Sequence, residues 1–275
     1  MLQQKGTLEV PLSSDDPRFF ASLLRTPVWL FGGGLMVVGW ILQAVALDLG
    51  ELVVVQPIIM LSLVIALPFG VWLTDQRVGR REWLAAGAAI LGLSVFVVVG
   101  NPAAGTETGS TTAWTISVLV VVGIVVGLVA VRRLRHVSGS FMAVLFGTAA
   151  GVCFGFQAAA TKVFVDVVGN GLSAILTSWS TYALIVSALV GFVLQQSALK
   201  TAVLAPAMAS TNVANMVVSV VLGAFVFEET LSHGTGTFAV AVGGLAVAVI
   251  AVVALTRAEA PEPTPSPQSA PSGTA

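Results

Sequence analysis

Charge is what this sequence has least of. Asp, Glu, Lys and Arg make up 9% of its 275 residues while 56% are hydrophobic, and a water-soluble domain carries nearer ~25% charged residues. The mean hydropathy of +0.98 agrees, so the chain belongs in lipid. Its 12 Lys plus Arg against 13 Asp plus Glu leave no basic field, which argues against a nucleic-acid partner. One cysteine, Cys153, excludes an internal disulfide framework and any multi-cysteine metal site. Imidazole is almost as scarce, with only His136 and His233. No nucleophile-and-base pair, no HExxH and no glycine loop ending in lysine is present, so neither an enzyme nor an ATP-driven pump is indicated, and no cofactor is expected.

What the chain does have is long apolar runs. A bilayer core of about 30 Å needs roughly 20 apolar residues in helix, with every backbone group bonded internally. Eight runs meet that need: Val28 to Leu47, Leu52 to Leu73, Trp83 to Val99, Ala113 to Val131, Phe141 to Val165, Leu172 to Gln195, Thr201 to Phe227 and Thr235 to Leu255. The expected fold class is all-α, a polytopic membrane helix bundle. The connections alternate between two sides, and 11 of the 12 Lys and Arg fall on one side, leaving Lys162 alone on the other. By the positive-inside rule the first side is cytoplasmic, which puts a multi-pass protein in the cytoplasmic membrane with both ends inside the cell. The other face carries Asp48, Glu51, Glu107, Asp166, Glu228 and Glu229, either as solvated loop ends or as a rim that draws cations.

An internal repeat organises these runs. Gln43 pairs with Gln195, Ala46 with Ala198, Leu47 with Leu199 and Gly92 with Gly244, all 152 residues apart. The side count gives the paired helices opposite directions, the inverted-repeat arrangement of alternating-access carriers. The chain then divides into 1–27, a start with a remnant of a first helix; 28–99, the first half; 100–140, a connector; 141–256, the second half; and 257–275, a Pro-rich tail too poor in apolar residues to order itself. The run at Phe141 has no full partner in the first half. GFQAAATK at Gly155 to Lys162 resembles LQQKG at Leu2 to Gly6, so the opening residues are either the remnant of a shortened first helix, about nine spans in all, or an unrelated cytoplasmic start.

Polar residues inside apolar spans are candidates for function because each costs free energy unless paired. Gln43, Gln56, Gln157, Lys162, Trp179, Asn212 and Asn215 are the expected substrate-binding set. Asn212 and Asn215, three apart, share one helix face, where they either bind solute or bond a neighbouring helix. Gln56 precedes Pro57, which either opens a helix beside a cavity or merely kinks it. Lys162 either snorkels to the interface or faces the cavity as a counter-charge. Asp48, Glu51, Glu228 and Glu229 are weak metal candidates. Gly147, Gly151 and Gly155, and likewise Gly123 with Gly127, repeat every four residues and read as helix-packing positions.

The segments LQQKG, WLFGGGLMVVGWILQAVAL, VVVQPIIMLSLVIALPFGVWLTDQRV and VLGAFVFEETLS, taken in that order, resemble the drug/metabolite transporter superfamily in its EamA-like and NIPA-like branches. In the first half Gln76, beside Asp75, stands where that pattern has Glu. The resemblance implies a carrier of small polar or amphipathic solutes, and the NIPA-like branch implies magnesium. A non-transporting membrane scaffold is the third reading. The expected partners are the lipid bilayer, the solute or ion, and a second copy in a homodimer.

Overall fold

The computed structural model describes residues 22, 25–62, 64–65, 79–134, 139–199, 204–231 and 235–258. Its helices are α1 (Pro27–Leu49), α2 (Leu52–Met60), α3 (Arg80–Gly100), α4 (Thr111–Leu134), α5 (Gly139–Val168), α6 (Leu172–Thr177), α7 (Trp179–Leu199), α8 (Leu204–Val226) and α9 (Thr235–Ala258). No β-strand occurs among the described residues, only an isolated antiparallel bridge between Ala103 and Thr230. Seven of the helices are long and apolar enough to cross a membrane. The expected eighth span is represented by α2, with further helical residues at 62, 64 and 65, and most of its remainder lies outside the described residues. The proposed first-helix remnant before Ser22, Asp75, Gln76, both histidines and most of the tail lie outside them too.

Leu30, Phe31, Leu119, Leu189 and Ile250 are exposed. A helix apolar on its outer as well as its inner face needs lipid around it, so the chain is a multi-pass membrane protein. Inside, α5 is the most buried span. It packs against α7 and α8, and α3 packs against α9.

The glycines explain the closest approaches. Gly151 faces α8, where a Cβ would lie 2.7 Å from Ala214 Cβ and 2.9 Å from the Asn215 nitrogen; Gly147 and Gly155 abut the same helix. These are the packing positions their spacing implied. Gly123 and Gly127 are not, since a Cβ on either meets nothing within 4 Å, and α4 turns that face outward.

The repeat is visible at α3 and α9. A Cβ at Gly92 would lie 2.5 Å from the Gly244 carbonyl and 2.8 Å from the Ala248 nitrogen; one at Gly244 would lie 2.7 Å from the Gly92 carbonyl and 3.0 Å from the Phe96 nitrogen. Each contact is the image of the other under the 152-residue offset. The end of α3 meets the start of α9, Gly100 against Ala241, so the pair is antiparallel. A local two-fold axis therefore crosses the helices rather than running along them. The same offset carries Leu52, the first residue of α2, onto Leu204, the first of α8.

One expected span is divided. The run Leu172 to Gln195 breaks at Ser178, whose extended backbone (φ −75°, ψ 133°) separates α6 from α7. Side chains satisfy the freed groups: the Thr181 hydroxyl donates to the Ile175 carbonyl at 2.6 Å, the Tyr182 hydroxyl to Leu176 at 2.7 Å, and the Ser180 N–H to Ser178 Oγ at 3.3 Å. Without them the break would leave backbone groups unpaired at the edge of an apolar medium.

Candidate functional site

At one end of the bundle three charged residues meet. Lys162, on the last two turns of α5, places Nζ 2.7 Å from Glu51 Oε2 and 2.7 Å from Glu229 Oε1. Glu51 is the residue before α2 and Glu229 follows α8. The Glu229 carboxylate also accepts the Leu52 N–H at 2.9 Å and the Val53 N–H at 2.8 Å, capping α2 where unpaired donors and the positive end of the helix dipole favour an anion. Its side chain is 1% exposed.

Local sequence makes this burial possible. Glu228 adopts the left-handed conformation (φ 57°), which any non-glycine residue enters at a cost, and the Glu229 N–H then bonds the Gly223 carbonyl at 3.1 Å. A Cβ at Gly223 would stand 2.5 Å from Glu229 Oε2 and 2.7 Å from Val53 Cγ2, so glycine leaves the room the carboxylate fills. The Phe227 ring lies 5.2 Å from Lys162 Nζ, within cation–π range. Burial works to raise the Glu51 pKa, but the Lys162 hydrogen bond leads the effects that outweigh it and hold the carboxyl below its ordinary value.

The segment between α3 and α4 covers this end. Ala103 and Thr230 exchange backbone hydrogen bonds at 2.9 and 3.2 Å, and Thr106 donates its N–H to the Phe227 carbonyl at 2.5 Å and its hydroxyl to the same oxygen at 3.2 Å. The Trp114 indole donates to the Thr108 carbonyl at 2.8 Å and meets Phe156, Phe227 and Trp179 edge to face, with centroids 5.8, 5.8 and 4.7 Å away. Glu107 and Asp48 are each within electrostatic reach of Asp166. The acidic groups that the side count placed on one face do share one end.

Polar residues continue inward from the cluster. Gln56 is one turn below Leu52, about 6 Å along α2 at 1.5 Å per residue. It is 1% exposed, and neither atom of its amide has a hydrogen-bond partner. Pro57 lacks the N–H that would bond the Val53 carbonyl. Gln157, buried, stands a little over one turn below Lys162 on α5. Deeper on α8, the Ser219 hydroxyl reaches the carbonyls of Asn215 at 2.8 Å and Gly155 at 3.5 Å, and Asn215 and Asn212 are half-buried.

The remaining expected residues fall elsewhere. Gln43 is half-buried on α1 and Asp48 and Glu228 are exposed. Trp179, expected within a span, starts α7 and is 46% exposed. With Trp114, Thr111, Thr115, Val163 and Ser178 it lines a cavity of about 640 Å³ near the covered end. Lys162 is held by both carboxylates. Glu51 and Glu229 are thereby committed to an ammonium group, and among the described residues no three His, Cys, Asp or Glu side chains converge as a metal site would need. Several buried polar residues carried no signal in the sequence, among them Ser219, four after Asn215 on the same face, and Gln196, 3% exposed with an unpartnered Oε1. Gln195 drew attention in the repeat, but its neighbour is the more buried one.

A protein of Corynebacterium glutamicum described only as uncharacterized is 30% identical to this chain over 207 residues, which cover 75% of this chain and 71% of that protein. The chain belongs to that protein's family. No family model matches the chain, and no solved structure matches it.

Proposed function

We propose that this member of the family is a carrier of small polar solutes, of the drug/metabolite transporter kind, working by alternating access between two inverted halves in the cytoplasmic membrane. The observation that carries the reading is Gln56: a primary amide buried to 1% exposure with both its donor and its acceptor unpartnered, next to a proline within the helix. Leaving buried polar groups unsatisfied costs roughly 1–3 kcal/mol, and interrupted helices at the junction of inverted repeats are where carriers place their solute sites. Gln157, Ser219 and Asn215 extend a polar route from the same region, and the reciprocal α3–α9 contact supplies an axis about which the halves rock.

A second reading, transport of hydrated magnesium, draws support from the grouping of Asp48, Glu107 and Asp166 near the covered end; magnesium keeps most of its waters and takes one or two carboxylates. The interior argues for the first reading, since away from the Lys162 cluster the buried polar side chains among the described residues are amides and hydroxyls. The test is flux in proteoliposomes over a panel of amino acids, other small metabolites and Mg²⁺. Saturable exchange of an organic solute supports the carrier, Mg²⁺ flux lost on Asp166→Asn supports the second reading, and no flux of any kind supports a scaffold.

A further inference from the structure

We infer that Lys162, Glu51 and Glu229 form a charge lock between the halves, which closes this end of the bundle and separates when the open face changes. Its purpose rests on the carrier reading above; its existence rests on geometry. Lys162 and Glu229 belong to the second half, on α5 and after α8, whereas Glu51 and the two N–H groups that hold Glu229 belong to α2 of the first. The Lys162–Glu51 ion pair and both N–H bonds to Glu229 therefore cross the boundary along which inverted halves move.

The partners are arranged to part without stranding a charge. When the halves part, Lys162 and Glu229 stay together on the second half with their ion pair intact, and the N–H groups at the start of α2 gain water. Glu51, with 22% of its side chain exposed, gains water. Lys162 is two residues from half-buried Phe164 and four from exposed Asp166 on its own helix, so its ammonium group has an aqueous edge to move to. The cover over the cluster is pinned to the same half as Glu229, through Phe227 and Thr230, and travels with it. A brace meant only for stability needs none of this, and replacing such a pair by apolar groups is commonly neutral or better.

The test is the distance between spin labels at Leu49→Cys, which is 80% exposed at the end of α1, and Asn170→Cys, exposed after α5, in the full chain carrying Cys153→Ser and reconstituted in lipid nanodiscs. The parent gives a narrow short-distance distribution. Lys162→Gln, and separately Glu51→Gln, which removes only the more exposed arm and so spares the fold, at least double the population at longer distances, while Lys162→Arg retains the parent distribution. Identical distributions in both neutral variants overturn the lock, even where their unfolding midpoints fall. The two readings separate cleanly: a distance shift with no solute flux removes the carrier and keeps the lock, and flux with unchanged distances does the reverse.

Discussion

At the scale of the residue, buried polar groups divide into those answered by the protein and those left open. Thr161, Thr211, Ser187 and Ser219 donate to carbonyls of their own helices, and Glu229 uses both oxygens. Gln56 uses neither amide atom. Gln56→Leu removes that penalty and keeps the volume, so we expect the variant to be more stable to unfolding in detergent by about 1–3 kcal/mol while solute flux falls tenfold or more; equal flux in both proteins would take Gln56 out of the site. Glu51 sets a pH dependence. Against the upward push of burial, the Lys162 hydrogen bond holds its pKa below the ordinary carboxylate value in the folded protein, so its contribution is fully present above that ordinary value and is lost as pH falls through the folded one. The unfolding midpoint should be flat from neutrality to pH ~5 and drop in stronger acid, less steeply in Glu51→Gln, which has no carboxyl at position 51 to protonate. Polarity within apolar runs was enough to select Gln56, Gln157 and Lys162 from the sequence. Partnership was not readable, because Lys162 and Glu51 are separated by 111 positions and nothing local announces that they meet.

At the scale of the element, glycine decides what packs. Apolar length located the spans, and four-residue glycine spacing marked Gly147, Gly151 and Gly155 as packing positions without naming α8 as their partner. The same spacing misled for Gly123 and Gly127, since periodicity defines a smooth face without saying what lies opposite. The break at Ser178 was hidden for a related reason: it lies inside a continuous apolar run, and only the bonds that Thr181 and Tyr182 make to the turn before it show where side chains replace a stretch of helix. Two expectations follow. Gly223→Val displaces the Glu229 carboxylate, so it should reproduce the longer label distance of Lys162→Gln although it alters no charge. Gly92→Val and Gly244→Val should each destabilise the fold by about 1–3 kcal/mol through overpacking. Because they spoil a single reciprocal contact, the double variant should lose clearly less than the sum, and strict additivity would mean that the two glycines do not share an axis.

At the scale of the whole molecule, the repeat ties sequence to architecture. Matches such as Gly92 with Gly244 are individually weak in low-complexity apolar sequence, yet the structure pairs those same residues across an antiparallel crossing with mutual contacts to Phe96 and Ala248. The grouping of acidic joints at one end was legible too, since alternating spans leave no other arrangement. Solute identity was not legible, because amides and hydroxyls accept many partners. The account as a whole claims that Gln56 lies on a path opened to one face of the membrane at a time. Its most direct test is Gln56→Cys in a Cys153→Ser background, probed with a membrane-impermeant thiol reagent from each side of sealed vesicles. We expect labelling from the face opposite Glu51, little from the face of Glu51, and reversal of that preference when Lys162→Gln is added; labelling from neither face in either protein, or equal labelling from both, would contradict the account.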